Sequence, residues 1–382
     1  MANGCILSPM RILQVYKDYW PVVGGMENHI RLICRGLLAR QPDIEPTVLV
    51  TNTGRQTVEE RIDGVRVIKA GRLANVSSAP ISLALFTWMG RLEADVIHLH
   101  FPYPIGELAY LAAGRGRPMV ITYHSDIVRQ KVLMQFYKPF WRAVLQRAKV
   151  ICVSNPNYIQ TSDYLRPHAA KCRVIPHGAD LGQFAPTPEV MARAAAIRAE
   201  AGAPIVFFAG LLRYYKGAQY LIEAMAQVPG AKLLIAGAGP MGAEWQALAT
   251  RLGLGERVRF LGRVSDAELR ALYHACDVFC LPSIHRSESW GAVQVEALAC
   301  GKPVVSTELG TGTSWVNQDG QTGIVVPPRD AGALAGALNR LLGDPELRAR
   351  YGAAASLRAA QELDADVMVD RYAAVYREVL RS

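Results

Sequence analysis

Two glutamates, Glu288 and Glu296 in RSESWGAVQVEALACGKPVVS, bracket a glycine and an apolar run. A strand, DVFCLPS, precedes them, and a helix is predicted to open near Gly291. The first backbone N–H groups of such a helix, at Gly291, Ala292 and Val293, have no partner within it and form a site for an anion. Gly291 lets a ligand come close, because it carries no side chain. On one continuous helix the two carboxylates would lie about 12 Å apart. A loop–helix turn between them can instead set one at each end of a single ligand rich in hydroxyls. Both acids also suit an ordinary helix start, where the dipole favours negative charge. A second loop, GLLRYYKG, follows the apolar strand PIVFFA and carries Arg213 and Lys216 just before a helix. Cations beside free N–H groups are what a diphosphate requires. These two loops together describe a nucleotide–sugar ligand: Glu288 on the sugar, the cations and helix start on the diphosphate, Glu296 on the ribose.

A third glycine loop, GAGPMG at Gly237–Gly242, reads literally as GxGxxG and raises a dinucleotide. That reading also needs an acid at the end of the next strand. The chain has Gly262 and Arg263 there instead, so a tight turn is the preferred reading.

Such loops must be held by strands. Short apolar runs alternate with helical patterns throughout: Arg11–Val15, Thr47–Thr51, Val65–Ala70, Val96–His100, Met119–Tyr123, Val150–Ser154 and Arg173–Pro176, then Pro204–Ala209, Lys232–Ala236, Val258–Leu261, Val278–Leu281, Pro303–Ser306 and Gly323–Val326. Continuous apolar strands alternating with helices predict parallel sheets covered on both faces. Two such series predict two doubly wound domains, with ligands beyond the carboxyl ends of the strands and in the cleft between the domains. The Gly/Pro-rich stretch PHGADLGQFAPTPE separates them. The predicted parts are residues 1–183, residues 184–363, and an amphipathic terminal helix over 364–382 that must pack on something already built, here assigned to the first domain.

The length of 382 residues fits two domains, and 51% hydrophobic against 20% charged residues marks a globular chain. The seven scattered cysteines form no CxxC pair, which favours reduced buried thiols in the cytoplasm over zinc. The opening residues do not read as a signal peptide, and no run reads as a membrane span. Of the net charge of +9, residues 1–190 carry +8, with 22 Lys+Arg against 14 Asp+Glu. The segment Arg129–Lys149 concentrates it, with Arg129, Lys131, Lys138 and Arg142 among aromatic residues. This suits an anionic membrane surface, and it equally suits a solvated helix face. No nucleic-acid motif accompanies the charge.

ESWGAVQVEALACGKPVV resembles the E-x7-E motif of retaining family-four glycosyltransferases. So do PVVGGMENHI, ADVIHLHFP, ITYHSD, VIPHGAD, the Arg213/Lys216 loop and GQTGIVVPPRD, which together span nearly the whole chain. The overall likeness is to bacterial O-antigen mannosyl- and rhamnosyltransferases. The resemblance implies the GT-B fold: α/β, two facing Rossmann-like doubly wound domains with a cleft between them, acceptor in the first and nucleotide sugar in the second. It implies that Gly24 and Gly25 lie against the donor phosphates. Arg213 and Lys216 neutralise the leaving diphosphate, and Val264 and Asp266 hold the base. Glu288 touches the sugar, with His124 near the transferred sugar and Asp126 at the acceptor. Trp290 stands where the family usually has Phe, which is expected to reshape the sugar pocket. The implied reaction is hexosyl transfer with retention, by same-face attack assisted by the leaving phosphate and without an enzyme nucleophile. The expected donor is a GDP-sugar such as GDP-mannose, with UDP- or ADP-sugars as the alternative. The expected acceptor is a lipid-linked saccharide at the inner membrane face, in polysaccharide or lipopolysaccharide synthesis. No metal or other cofactor is expected, and the DAD triplet Asp364–Asp366 reads as helix-capping acids. A GT-B sugar-nucleotide epimerase and a non-enzymatic nucleotide binder are the rival readings.

Overall fold

The computed structural model describes residues 8–22, 24–76, 79–124 and 131–381, and of these all side chains but those of 76, 79 and 131–136. The chain divides into two units, Met1–Gly178 with Ala365–Ser382, and Ala179–Asp364. The first division falls slightly before the point the sequence suggests. His177 and Gly178 still bond to the first unit, through Nδ1 of His29 at 3.2 Å and Sδ of Met368 at 3.1 Å. Ala179 instead donates to the Leu363 carbonyl at 2.9 Å in the second unit.

The first unit holds β1 (Met10–Val15), β2 (Ile44–Thr51), β3 (Val58–Ile62), β4 (Val65–Ala70), a small pair β5 (Ala74–Val76) and β6 (Ala79–Ile81), β7 (Val96–Phe101), β8 (Met119–Tyr123), β9 (Val150–Val153) and β10 (Cys172–Val174). The main sheet runs β10-β9-β8-β7-β1-β2-β4-β3. Every pairing in it is parallel except β3 on β4. The sequence reading missed β3 because VEERI lies at the sheet edge, half-exposed and charged, and lacks the apolar run of a buried strand.

The terminal helix Ala365–Arg381 belongs to this unit. Its apolar face (Met368, Val369, Tyr372, Ala373, Val375, Tyr376, Val379) is buried against Ile12, Ile33, Leu37, Val96 and Val120. A Cβ on Gly36 would lie 2.4 Å from Cγ2 of Val369, so a glycine there is what lets the two helices approach. Of the DAD triplet, Asp366 pairs with Arg40 at 2.8 Å on the rim of this contact. Among the described residues no helix is long and apolar enough to cross a membrane.

The second unit holds β11 (Ile205–Ala209), β12 (Lys232–Ala236), β13 (Val258–Gly262), β14 (Val278–Leu281), β15 (Val304–Thr307) and β16 (Gly323–Val326). They form one all-parallel sheet in the order β13-β12-β11-β14-β15-β16. The order reverses between β11 and β14, and the crevice outside the carboxyl ends of those two strands is where such sheets bind ligands. In the first unit the same reversal falls between β1 and β7. The inner strands of both sheets are buried, which is why they read as continuous apolar runs.

Candidate active site

The loops predicted to carry the chemistry in the second unit leave β11 and β14, the two strands at the reversal. After β11 the chain turns through Gly210, with φ of 148°, and reaches a short 3-10 turn at Tyr214–Lys216. Gly217, with φ of 65°, then starts the helix Ala218–Met225. A Cβ on Gly217 would lie 2.2 Å from the Pro282 carbonyl oxygen, so this glycine lets the two loops touch. Lys216 is buried there, and its Nζ lies 2.6 Å from Oε2 of Glu288. The Ser283 hydroxyl donates to the same oxygen at 3.0 Å. Oε1 of Glu288 has no hydrogen-bond partner among the described residues. The Glu288 loop is tied down by Thr311, whose hydroxyl donates to the Glu288 carbonyl at 2.8 Å, and by Gly312 donating to Ser289.

Separate tasks are expected of Lys216 and Glu288 from their loops, and the fold joins the two as a buried ion pair. A buried carboxylate and ammonium are costly to desolvate alone and tolerable together. The pair fixes an ammonium beside an open carboxylate oxygen, the arrangement needed to meet a ligand with both phosphate and hydroxyl groups. Arg213 is exposed and makes no ion pair among the described residues.

The helix Ala292–Ala299 begins where the sequence reading put it, with Gly291 as its cap at φ 72°. A Cβ at Gly291 would meet Nε2 of Gln294 at 2.6 Å and Cδ2 of Leu281 at 2.8 Å. Glycine is required there both by the left-handed backbone and by the space. The first N–H groups of this helix stand free of intrahelical partners, next to the Glu288 loop. Glu296 lies one turn further in, half-buried, and accepts from the Tyr273 hydroxyl at 2.6 Å. Burial pushes its carboxyl above the usual range, while the Tyr273 bond and the Lys216 charge act against that shift. Val264 packs against the core and Asp266, exposed, opens the helix Asp266–Ala275, capped by Ser265.

Trp290 packs inside the second unit. Its ring is buried, 5.7 Å from that of Trp315, which in turn carries the Arg358 guanidinium over its face at 4.5 Å. The larger aromatic is absorbed in packing within the unit. GAGPMG also has a packing reason. A Cβ at Gly237 would lie 1.9 Å from the Gly210 carbonyl oxygen, and one at Gly239 would crowd the Leu212 backbone at 2.5 Å. These glycines let the loop after β12 lie on the loop after β11, where Leu212 donates to Ala238 and Met241 to Leu212.

In the first unit Gly24 caps the helix Gly25–Arg40 with extended backbone, and nothing lies within 4 Å of a Cβ built on Gly25. His124 follows β8, buried. Asp126 and Arg129 lie outside the described residues, as does the side chain of Lys131. Lys138 is half-exposed and Arg142 exposed on the helix Lys131–Arg147.

His124 is one of five buried or half-buried histidines gathered from separate elements: His29, His98, His100, His124 and His177. His100 and His124 stack at 5.5 Å between ring centres, and His124 and His177 at 5.3 Å. Burial holds all five imidazoles neutral: His98 falls to about 3, His177 to about 4, and the other three well below the usual value, with mutual repulsion adding to burial. Sequence reasoning named only His124. A signal for the others was present: His98 and His100 are two apart on a strand and must share one face. His29, His100 and His124 each bring a nitrogen within 4.8 Å of the others. Tetrahedral zinc would draw such nitrogens to roughly 3.4 Å, and the rings already spend nitrogens on one another and on neighbours.

Two units with doubly wound sheets, each presenting its loops at a strand-order reversal, and a Lys–Glu pair beside a helix start define a glycosyltransferase of the GT-B class. The family described as glycosyl transferases group 1 matches residues 193–358, and that described as Glycosyltransferase Family 4 matches residues 23–183. The chain is 37% identical to the D-rhamnosyltransferase WbpZ of Pseudomonas aeruginosa, over 91% of each chain. It is 35% identical to the O-antigen chain mannosyltransferase C of Escherichia coli, over 98% of this chain and all of the relative. Among solved structures, sucrose-phosphate synthase from Thermosynechococcus elongatus superposes with a TM-score of 0.76 at 25% identity, covering 97% of this chain and 99% of that one. The chain belongs to the family-4 glycosyltransferases.

Proposed function

We propose that this chain transfers a hexose, mannose or a close relative, from a GDP-sugar to a lipid-linked saccharide, with retention and without a metal. The observation that carries the reading is the Lys216–Glu288 pair beside the free helix start at Ala292, at the strand-order reversal of the second unit. In this reading Lys216 and Arg213 face the diphosphate, together with the N–H groups of Ala292 and Val293. Positive charge fixed in place stabilises the leaving phosphate as charge builds on it. Oε1 of Glu288 accepts from a sugar hydroxyl, Glu296 from the ribose, and Val264 and Asp266 border the base. In the first unit Gly24 and Gly25 approach the phosphates, and His124 meets a sugar hydroxyl. The similarity to proteins named as mannosyl- and rhamnosyltransferases supports the choice of sugar and of a polysaccharide acceptor. Lys138 and Arg142 suit an approach to an anionic membrane carrying that acceptor.

The test is thermal unfolding with saturating GDP, UDP, ADP and NAD in parallel. A ligand at a hundred times its dissociation constant adds about 2.7 kcal/mol. Stabilisation by GDP alone is expected. Stabilisation by UDP or ADP alone would overturn the donor while keeping the transferase. Stabilisation by NAD alone would overturn both. Sugar-nucleotide epimerisation without any acceptor would replace transfer by the epimerase reading.

A further inference from the structure

The five histidines of the first unit are joined to Gln14, Thr122, Tyr372 and Tyr376 by an unbroken series of hydrogen bonds. Gln14, wholly buried in β1, gives it a direction. Its Oε1 lies 2.8 Å from Nε2 of His100, and its Nε2 lies 2.9 Å from the Tyr376 hydroxyl. An amide oxygen only accepts and an amide nitrogen only donates. Each neighbour is therefore told which role to play, and each passes the instruction on.

On the oxygen side, Nε2 of His100 must carry the proton. Its Nδ1 is then a bare acceptor, 3.2 Å from Nε2 of His124, which must be the donor. On the nitrogen side, Gln14 donates to the Tyr376 oxygen, and the Tyr376 proton goes to Nδ1 of His98 at 2.7 Å. Nε2–H of His98 donates to the Thr122 oxygen at 2.7 Å, and the Thr122 hydroxyl donates to the Tyr372 oxygen at 2.9 Å. Tyr372 donates to Nε2 of His29 at 3.3 Å, and Nδ1–H of His29 donates to Nδ1 of His177 at 3.2 Å. Each link then has one donor and one acceptor, as a buried polar network requires. The terminal helix supplies two of the links, Tyr372 and Tyr376, which explains why polar groups stand in the middle of its buried face.

We propose that this network is a tautomer lock, in which Gln14 and His100 act as positioning residues that keep the proton of His124 on Nε2 and leave its Nδ1 bare. Nδ1 of His124 has no hydrogen-bond partner among the described residues, so it is the nitrogen left for a ligand. It accepts, and does not donate, a hydrogen bond from a sugar hydroxyl. This consequence for a ligand rests on the role given to His124 above; the lock itself does not.

The test uses the whole protein labelled with nitrogen-15 in its histidines. Long-range proton–nitrogen correlation separates Nε2–H from Nδ1–H rings, and single histidine replacements assign the signals. The expected pattern is Nε2–H at His98, His100, His124 and His177, and Nδ1–H at His29. The mirror pattern would mean that Gln14 points the other way, and it overturns the assignment. Two tautomers in exchange, or an imidazolium, at any of the five near neutral pH overturns the lock. In His100→Phe, which keeps a ring and removes both nitrogens, His124 is expected to lose its single tautomer. With it, kcat should fall on the order of tenfold while KM stays nearly unchanged. A His124 that keeps one tautomer in this variant overturns the lock, whatever the turnover. A tautomer lost with kcat unchanged leaves the lock standing and removes His124 from the proposed reaction. The unsubstituted protein decides the matter by itself if His100→Phe fails to fold.

Discussion

Acid should unfold the first unit long before carboxylate chemistry would. Five histidines are held neutral in its fold, with His98 at about 3, His177 at about 4, and His29, His100 and His124 well below the usual value. In the unfolded chain each titrates near 6.5. Between those values the unfolded chain binds the proton and the folded one refuses it, so the stability present above about pH 6.5 is lost as pH falls. Glu107 acts in the opposite sense. It is buried, its carboxyl is pushed up to about 8, and it keeps its proton in the fold where the unfolded chain has released it. Its contribution is therefore full at low pH and lost as pH rises from about 4.5 to 8. Near pH 5.5 the five histidines favour the unfolded chain by five protons and Glu107 returns one, a net of four. Each proton is worth about 1.4 kcal/mol per pH unit, so the slope approaches about 5.6 kcal/mol per unit. A domain stable by 5–15 kcal/mol is exhausted within about one to three units at that slope. Urea midpoints at a series of pH values, read by hydrogen exchange on β7 and β8 in the first unit, measure it. A slope of two protons or fewer would refute the reasoning, since it would mean that the histidines titrate within the fold.

Other expectations bear on the second unit. Glu288→Gln should lower turnover on the order of a hundredfold or more with the fold retained, measured by transfer from GDP-mannose; unchanged turnover removes Glu288 from the site. For the Lys216–Glu288 pair, Lys216→Met alone should destabilise the unit by about 3–5 kcal/mol, because it strands a buried carboxylate. Combining it with Glu288→Gln should recover much of that loss, and additive denaturation energies would show that the pair is not coupled. Gly291→Ala should cost about 1–3 kcal/mol, from the strained left-handed backbone and the clash with Gln294 and Leu281. It should also weaken nucleoside diphosphate binding in calorimetry; undiminished affinity would move the phosphate site away from that helix start.

Whatever depends on neighbours along the chain was legible in the sequence. Strand–helix alternation, the apolar strands, the glycine that starts the helix after Glu288 and the cationic loop after β11 all follow from local periodicity and allowed dihedral angles. Such signals act over a few residues, and they hold whatever the rest of the chain does. The sequence also carried the family resemblance, because its motifs are short and lie in those same loops. What escaped it depends on place in the fold: β3, whose edge position tolerates the charged VEERI, and the packing of Trp290 against Trp315, which no local pattern reveals.

Which distant residues meet follows from the folded arrangement alone. Lys216 pairs with Glu288 only because β14 lies next to β11, skipping β12 and β13. Strand order is set by how helices cover both faces of a sheet, and no single loop encodes it. The histidine network depends on it still more. His98 and His100 come from β7, Thr122 from β8, Gln14 from β1, His29 from a neighbouring helix, and Tyr372 and Tyr376 from the far end of the chain. Each is an ordinary polar residue in its own segment. Burial in one core removes water as a partner, and only then must each of them find its hydrogen bond in another.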